Sequence, residues 1–120
     1  IIVEPDSAAC LFASATRKQR TTVAGEHATI MDGLACGEPS VLAWEIISRA
    51  ATAYVKIPDQ AATKAIKALS GESVSAGPSG VAGLAGLMQV AGDEASRTAI
   101  RLDEQSRVFL IGTEAARTID

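Results

Sequence analysis

The chain has 120 residues, 48% of them hydrophobic and 21% charged, and its net charge is -3. This composition excludes a disordered chain and is typical of a single folded domain, predicted here over residues 1–120. The negative charge gives no electrostatic reason to expect nucleic acid or an anionic membrane as a partner. No apolar stretch reaches the ~20 residues needed to span a bilayer, and no leader pattern precedes the first strand, so we expect a soluble, cytoplasmic protein.

The first forty residues contain a strand pattern, a helix pattern and a long loop. The run IIVE at residues 1–4 is apolar and β-branched, which predicts a strand. Residues 7–20 show helical spacing of apolar side chains, with Asp6 or Ser7 as the N-cap. The predicted buried side of this helix carries Leu11, Phe12 and Ala15. Residues 21–40 contain glycines, a proline and only weak periodicity, so we expect mostly irregular structure there.

Strand and helix patterns alternate through the rest of the chain. A helix over 41–53, capped by Ser40, precedes a short strand at 54–57. The remaining predictions are helices over 60–70, 79–91 and 93–102, strands over 73–77 and 108–111, and a turn at 103–106. This alternation predicts an α/β fold, a partial three-layer arrangement in which a short, mainly parallel sheet is flanked by helices.

A glycine-rich stretch, GPSGVAGLAG at residues 77–86, raises the question of a phosphate loop. Its spacing matches neither of the two common phosphate-binding patterns, and no lysine follows it. Glycines at three-residue intervals fall along one side of a helix and permit close contact with a sheet. A ligand contact at Ser79 and Gly80 is the alternative, because only the first turn of a helix offers free amides. Ligands in parallel sheets bind beyond the carboxyl ends of strands. The positions to examine are therefore residues 4–7, 76–80 and 112–114.

Five further residues carry groups with possible chemistry. Cys10 and Cys36 lack metal or disulfide spacing and are interpreted as buried free thiols, unless a base such as His27 lies close enough to activate one of them. His27 itself is interpreted as a loop residue, since no metal-binding cluster accompanies it, and no metal site is predicted. Asp32 is either part of an Asp-Gly turn or a site residue. Thr113 is either a strand-end threonine or a ligand contact.

Four stretches together resemble a known family. They are VEPDSAACLFAS, TIMDGLACGEPSVLAWEII, SGVAGLAGL and SRVFLIGTE, and they run in family order over nearly all of residues 1–115. On these stretches the chain resembles the C-terminal part of the diaminopropionate ammonia-lyase family, which belongs to the fold type II pyridoxal-phosphate enzymes related to threonine dehydratase. The stretch TIMDGLACGEPS, with the helix after it, is the most specific of the four.

The resemblance implies a fragment of an enzyme. In that family the cofactor is pyridoxal phosphate, and both the lysine that holds it and the glycine-rich loop that grips its phosphate lie upstream of the strand that is IIVEP here. The lysines of this chain, Lys18, Lys56, Lys64 and Lys67, match no lysine motif of the family and are interpreted as surface residues. We therefore assign no catalytic residue and do not expect this chain alone to bind the cofactor.

The resemblance also implies site residues. Thr113 matches the position whose hydroxyl meets the pyridine nitrogen of the cofactor, and Ser79 and Gly80 match the helix start beside the cofactor ring. Asp32 and Gly33 match a motif near the active-site cleft whose role is unassigned. The chain departs from the family at one place: relatives usually carry a glutamate just before this helix start, where Gly77 and Pro78 stand here.

Three functions follow from these observations. The leading hypothesis is the C-terminal section of a pyridoxal-phosphate ammonia-lyase that converts 2,3-diaminopropionate to pyruvate and ammonia, inactive as an isolated chain. The alternative is a truncated, non-catalytic α/β module that acts by self-association or by binding a partner. A nucleotide-binding domain is a third reading, which the missing phosphate-loop patterns disfavour. The expected partners are a second copy in a homodimer and the N-terminal half of the enzyme, with neither nucleic acid nor membrane.

Overall fold

The computed structural model describes residues 1–116, so residues 117–120 of the predicted domain lie outside the described part. The strands are β1 (Ile2–Pro5) and β2 (Tyr54–Ile57). The α-helices are α1 (Cys10–Arg17), α2 (Val41–Ala50), α3 (Asp59–Gly71), α4 (Ala82–Ala91) and α5 (Glu94–Ile100). Single 3-10 turns at Asp6–Ala8 and Asp32–Leu34 complete the secondary structure of this part of the chain. The prediction of an α/β fold is confirmed.

The two strands form a parallel pair. Ile2 lies opposite Tyr54 and Pro5 opposite Ile57, so both strands point their carboxyl ends in the same direction. A parallel pair needs a long crossover connection, which α1, the loop after it and α2 provide here. The strand predictions at 1–4 and 54–57 and the parallel arrangement are therefore confirmed.

Helix α4 packs directly on β1, and glycine makes this contact possible. A Cβ atom on Gly86 would lie 2.6 and 2.9 Å from the two methyl carbons of Val3, closer than carbon atoms approach without a shift. The prediction that the glycine spacing serves close packing is confirmed at this position. The buried core between α4, α3 and the sheet consists of Met31, Ile57, Ala62, Ala65, Val81, Ala82 and Ala85.

Helix α1 is capped by Glu4, to which the sequence patterns assigned no capping role. The side chains of Asp6 and Ser7 make no cap, so that prediction was wrong. Instead the buried carboxylate of Glu4 accepts hydrogen bonds from the amides of Leu11 and Phe12, each at 2.8 Å. A carboxylate is favourable there because the free amides of a helix start carry partial positive charge.

Helix α2 begins as predicted but ends three residues early. Ser40 Oγ accepts a hydrogen bond from the amide of Ala43, which confirms the predicted cap. Three apolar side chains of this helix are left exposed by the described part of the chain. Val41, Leu42 and Ile46 are 59%, 67% and 59% exposed.

Two of the predicted strands do not form. Residues 73–77 leave α3 through a turn in which Ser73 has a φ of 59° and the amide of Val74 donates to the carbonyl of Leu69. Residues 108–111 have no strand partner among residues 1–116, and Phe109 is 87% exposed. An apolar, β-branched run becomes a strand only when another backbone edge pairs with it.

Within residues 1–116, no helix has the length and apolar character that crossing a bilayer requires.

Candidate functional site

The three segments to which the family resemblance assigned site residues, those around Asp32, Ser79 and Thr113, meet at one place. The first of them is positioned by the start of α3, where Asp59 accepts hydrogen bonds from Thr29 Oγ1 at 2.5 Å and from the amide of Ile30 at 3.1 Å. Met31, which follows, is fully buried and anchors the segment in the core. These contacts hold Asp32 and Gly33 close to the carboxyl ends of the strands, since Asp59 is two residues beyond β2.

Gly33 joins this segment to the turn before α4. Its amide donates a hydrogen bond of 3.0 Å to Ser79 Oγ. The approach is close, because a Cβ atom on Gly33 would lie 3.1 Å from the same hydroxyl oxygen. Gly33 and Ser79, which are 46 residues apart in sequence, are therefore direct neighbours.

Glu114 joins the third segment to the same turn. Its carboxylate oxygen Oε2 accepts hydrogen bonds from the amides of Ser79 at 2.6 Å and Gly80 at 3.2 Å. Its backbone carbonyl accepts a further bond of 3.0 Å from the amide of Gly77. The free amides at this turn are thus occupied by a carboxylate of the chain itself and are not open to a phosphate group.

Thr113 is held at this turn by its two neighbours in the chain. A Cβ atom on Gly112 would lie 3.4 Å from the carbonyl oxygen of Gly80, and Glu114 is bonded to Ser79 and Gly80 as described. The Thr113 side chain is exposed to solvent. The site therefore brings together Gly33, Ser79, Gly80 and the Thr113 backbone. Asp32 opens the 3-10 turn beside them, and its side chain is exposed.

Glu114 was among the positions to examine, but its role was not predicted from the sequence. The residue stands in the stretch SRVFLIGTE, but only its threonine was assigned a role. The signal that could have identified it is an acid three residues after the apolar run 108–111, in a chain that has Gly77 and Pro78 where the resemblance led us to expect an acid. A carboxylate is the natural partner for free amides at a helix start, wherever in the sequence it comes from.

The remaining polar candidates lie apart from these three segments. His27 Nδ1 lies 3.2 Å from the carbonyl oxygen of Ser7. Cys10 is buried as predicted, and its burial, followed by the nearby charge of Glu4, raises its pKa to about 11. Cys36 is exposed, so the prediction that it is buried was wrong. No group of three or more potential metal ligands comes together within residues 1–116.

The residues present fit one side of a pyridoxal-phosphate site. The exposed hydroxyl of Thr113 is a suitable partner for a ring nitrogen, and the turn at Ser79 and Gly80 gives it a fixed support. The lysines are all exposed and none belongs to the three segments: they are Lys18, Lys56, Lys64 and Lys67. Of these, Lys56 lies over the ring of Phe12, 4.8 Å from its centroid. The three segments of this site therefore contain no lysine to which the cofactor could be attached.

Comparisons with known proteins identify the family of this chain. The model of the family described as "Pyridoxal-phosphate dependent enzyme" matches residues 1–113. Diaminopropionate ammonia-lyase from Salmonella typhimurium is 35% identical over 134 residues, which cover 100% of this chain and 32% of that protein. The enzyme of the same name from Escherichia coli K12 is 45% identical over 69 residues, which cover 58% of this chain and 17% of that protein.

A solved structure shows the same fold. Diaminopropionate ammonia-lyase from Escherichia coli, in complex with an aminoacrylate-PLP azomethine reaction intermediate, matches with a TM-score of 0.83 and 33% identity. The match covers 95% of this chain and 30% of that one, so this chain spans about a third of the length of the relatives it matches. The agreement of fold, motif order and family model leads to one conclusion: this chain belongs to the family of pyridoxal-phosphate dependent enzymes.

Proposed function

We propose that this chain is the C-terminal section of a pyridoxal-phosphate dependent ammonia-lyase that converts 2,3-diaminopropionate to pyruvate and ammonia. The observation that carries the proposal is the meeting of Gly33, Ser79 and the segment around Thr113 at one turn, as the family resemblance requires. The relatives bearing the name diaminopropionate ammonia-lyase support the substrate class.

The residues of this chain would act on the ring side of the cofactor. In the proposal, the Thr113 hydroxyl forms a hydrogen bond with the pyridine nitrogen, while the turn at Ser79 and Gly80 forms the adjacent wall. When bound, pyridoxal phosphate supplies an electron sink for the charge that develops when the substrate loses its α-proton. The lysine that would take this proton is not among the lysines of this chain, so we expect the isolated chain to be inactive.

A chimera tests the proposal. The section of the Escherichia coli enzyme that this chain matches, 30% of its length, would be replaced by this chain, and pyruvate release from 2,3-diaminopropionate would be measured. We expect the chimera to release pyruvate and Thr113→Ala to lower kcat by roughly tenfold, equivalent to about 1.4 kcal/mol of lost stabilisation. The matched control is Thr52→Ala, an exposed threonine between α2 and β2, which should leave kcat unchanged. Equal loss in both variants would contradict the role of Thr113.

A second function is favoured by the uncovered apolar side of α2. A stand-alone module with Val41, Leu42 and Ile46 exposed would bury these side chains by pairing with a second copy. Sedimentation of the isolated chain tests this alternative: a dimer that the charged variant Leu42→Glu converts to a monomer supports it. A clean monomer at all concentrations contradicts it, and Glu45→Gln on the same helix serves as the control.

A further inference from the structure

We infer that Glu114 is a positioning residue, which anchors the segment carrying Thr113 to the start of α4 and so sets where the Thr113 hydroxyl lies. This inference rests on the proposed function, because it assigns Glu114 to the same cofactor contact. Gly77 and Pro78 stand where the family resemblance led us to expect an acid before this helix start. Glu114 brings a carboxylate to the same turn from the other end of the chain.

Polar contacts from two parts of Glu114 make the anchor. The carboxylate binds the amides of Ser79 and Gly80, and the backbone carbonyl binds the amide of Gly77. Side-chain and backbone contacts together fix both the position and the direction of the chain at residue 114. Hydrogen bonds from amides to a carboxylate are also stronger than those between neutral groups.

Gly77 and Gly80 leave room for Glu114 at this turn because neither residue has a Cβ atom. A Cβ atom on Gly80 would lie 2.7 Å from the carbonyl oxygen and 3.1 Å from the amide nitrogen of Glu114. A Cβ atom on Gly77 would lie 2.5 Å from the carboxyl carbon of Glu114 and 2.7 Å from the carbonyl oxygen of Ala115. Because several of these atoms belong to the backbone, they cannot move aside as the end of a flexible side chain can.

The residues before Thr113 are exposed to solvent. Residues 108–111 form no strand, and Phe109 and Ile111 are 87% and 71% exposed. Leu110 packs near α4, since its Cδ2 would lie 3.4 Å from a Cβ atom on Gly83. Of the two neighbours that hold Thr113, Gly112 lies close to the backbone of Gly80, and Glu114 makes the hydrogen bonds to the turn.

Amide hydrogen exchange in the 120-residue chain tests the anchor without any cofactor. Glu114→Ala should speed exchange of the Ser79 and Gly80 amides by about tenfold or more, whereas Glu114→Gln, which keeps one acceptor oxygen, should show a smaller change. Gly80→Ala should speed exchange of the Gly77 amide, because the new Cβ atom would lie 2.7 Å from the Glu114 carbonyl oxygen that accepts from this amide, although the variant keeps both Thr113 and Glu114. Gly83→Ala is the matched control, because its Cβ atom would make an ordinary contact with Leu110. Unchanged exchange in Glu114→Ala would overturn the anchor.

The chimera distinguishes positioning from a purely structural cap. We expect Glu114→Ala and Gly80→Ala to lower kcat per bound cofactor by about tenfold with little change in KM, and Glu114→Gln to retain most of kcat. An unchanged kcat per bound cofactor in Glu114→Ala would overturn the positioning role and leave only a cap. A chimera with the unaltered sequence that binds cofactor but releases no pyruvate would contradict the proposed function and the positioning of Thr113, while the exchange result would still decide the anchor.

Discussion

Gly86→Ala should lower the free energy of unfolding by about 1 to 3 kcal/mol, the usual cost of forcing an extra carbon into a closely packed core. The new Cβ atom would lie 2.6 Å from one methyl carbon of Val3 and 2.9 Å from the other. Val3 is β-branched and sits in β1, so its methyl groups cannot rotate away without changing rotamer. Helix and strand would have to separate, which loosens contacts along the whole of α4.

Urea unfolding followed by far-UV circular dichroism measures this effect. The control is Gly83→Ala in the same helix, where the nearest atom to the new Cβ would be Leu110 Cδ2 at 3.4 Å. That variant should be neutral or more stable by up to about 1 kcal/mol, since alanine favours a helix over glycine. If Gly86→Ala proved as stable as Gly83→Ala, helix α4 would not lie as close to β1 as described.

Glu4→Ala should cost about 3 kcal/mol, because it removes the carboxylate that caps α1 and leaves two amides without an acceptor. Both Glu4 oxygens are engaged, Oε1 by the amide of Leu11 and Oε2 by the amide of Phe12. Glu4→Gln keeps the shape but turns one acceptor into a donor facing an amide, so a loss of about 1.5 kcal/mol is expected.

The same unfolding measurement checks this second prediction. Glu45→Gln is the matched control, because Glu45 is exposed on α2 and its replacement should change stability by less than about 0.5 kcal/mol. A loss in Glu4→Gln no larger than that of the control would show that solvent, and not Glu4, satisfies the start of α1.

Most of the regular structure follows from local patterns in the sequence. The apolar runs at 1–4 and 54–57 predict β1 and β2, and the cap at Ser40 predicts the start of α2. In each case the residues that decide the element lie within it or directly beside it. The failed strand at 108–111 has equally suitable residues, whereas residues 73–77 (SVSAG) contain a single β-branched residue and were a weak pattern. Whether an apolar run such as 108–111 forms a strand depends on a pairing edge elsewhere in the structure, which a local pattern does not contain.

Long-range polar contacts were the other feature of the structure that the sequence did not predict. The three segments of the site were recognised from the family resemblance, and their meeting at Ser79 agrees with it. The carboxylates that stabilise the starts of two helices were missed, because both come from outside the helix they serve. Glu4 reaches α1 from β1, and Glu114 reaches the turn before α4 across 35 residues of sequence.

The most direct test of the central proposal is pyruvate release from 2,3-diaminopropionate, compared between the isolated chain with added pyridoxal phosphate and the chimera that carries the rest of the Escherichia coli enzyme. The account predicts pyruvate from the chimera, a loss of roughly tenfold in its Thr113→Ala variant, and none from the isolated chain. Pyruvate from the isolated chain, or a correctly folded, cofactor-loaded chimera that releases none, would contradict it.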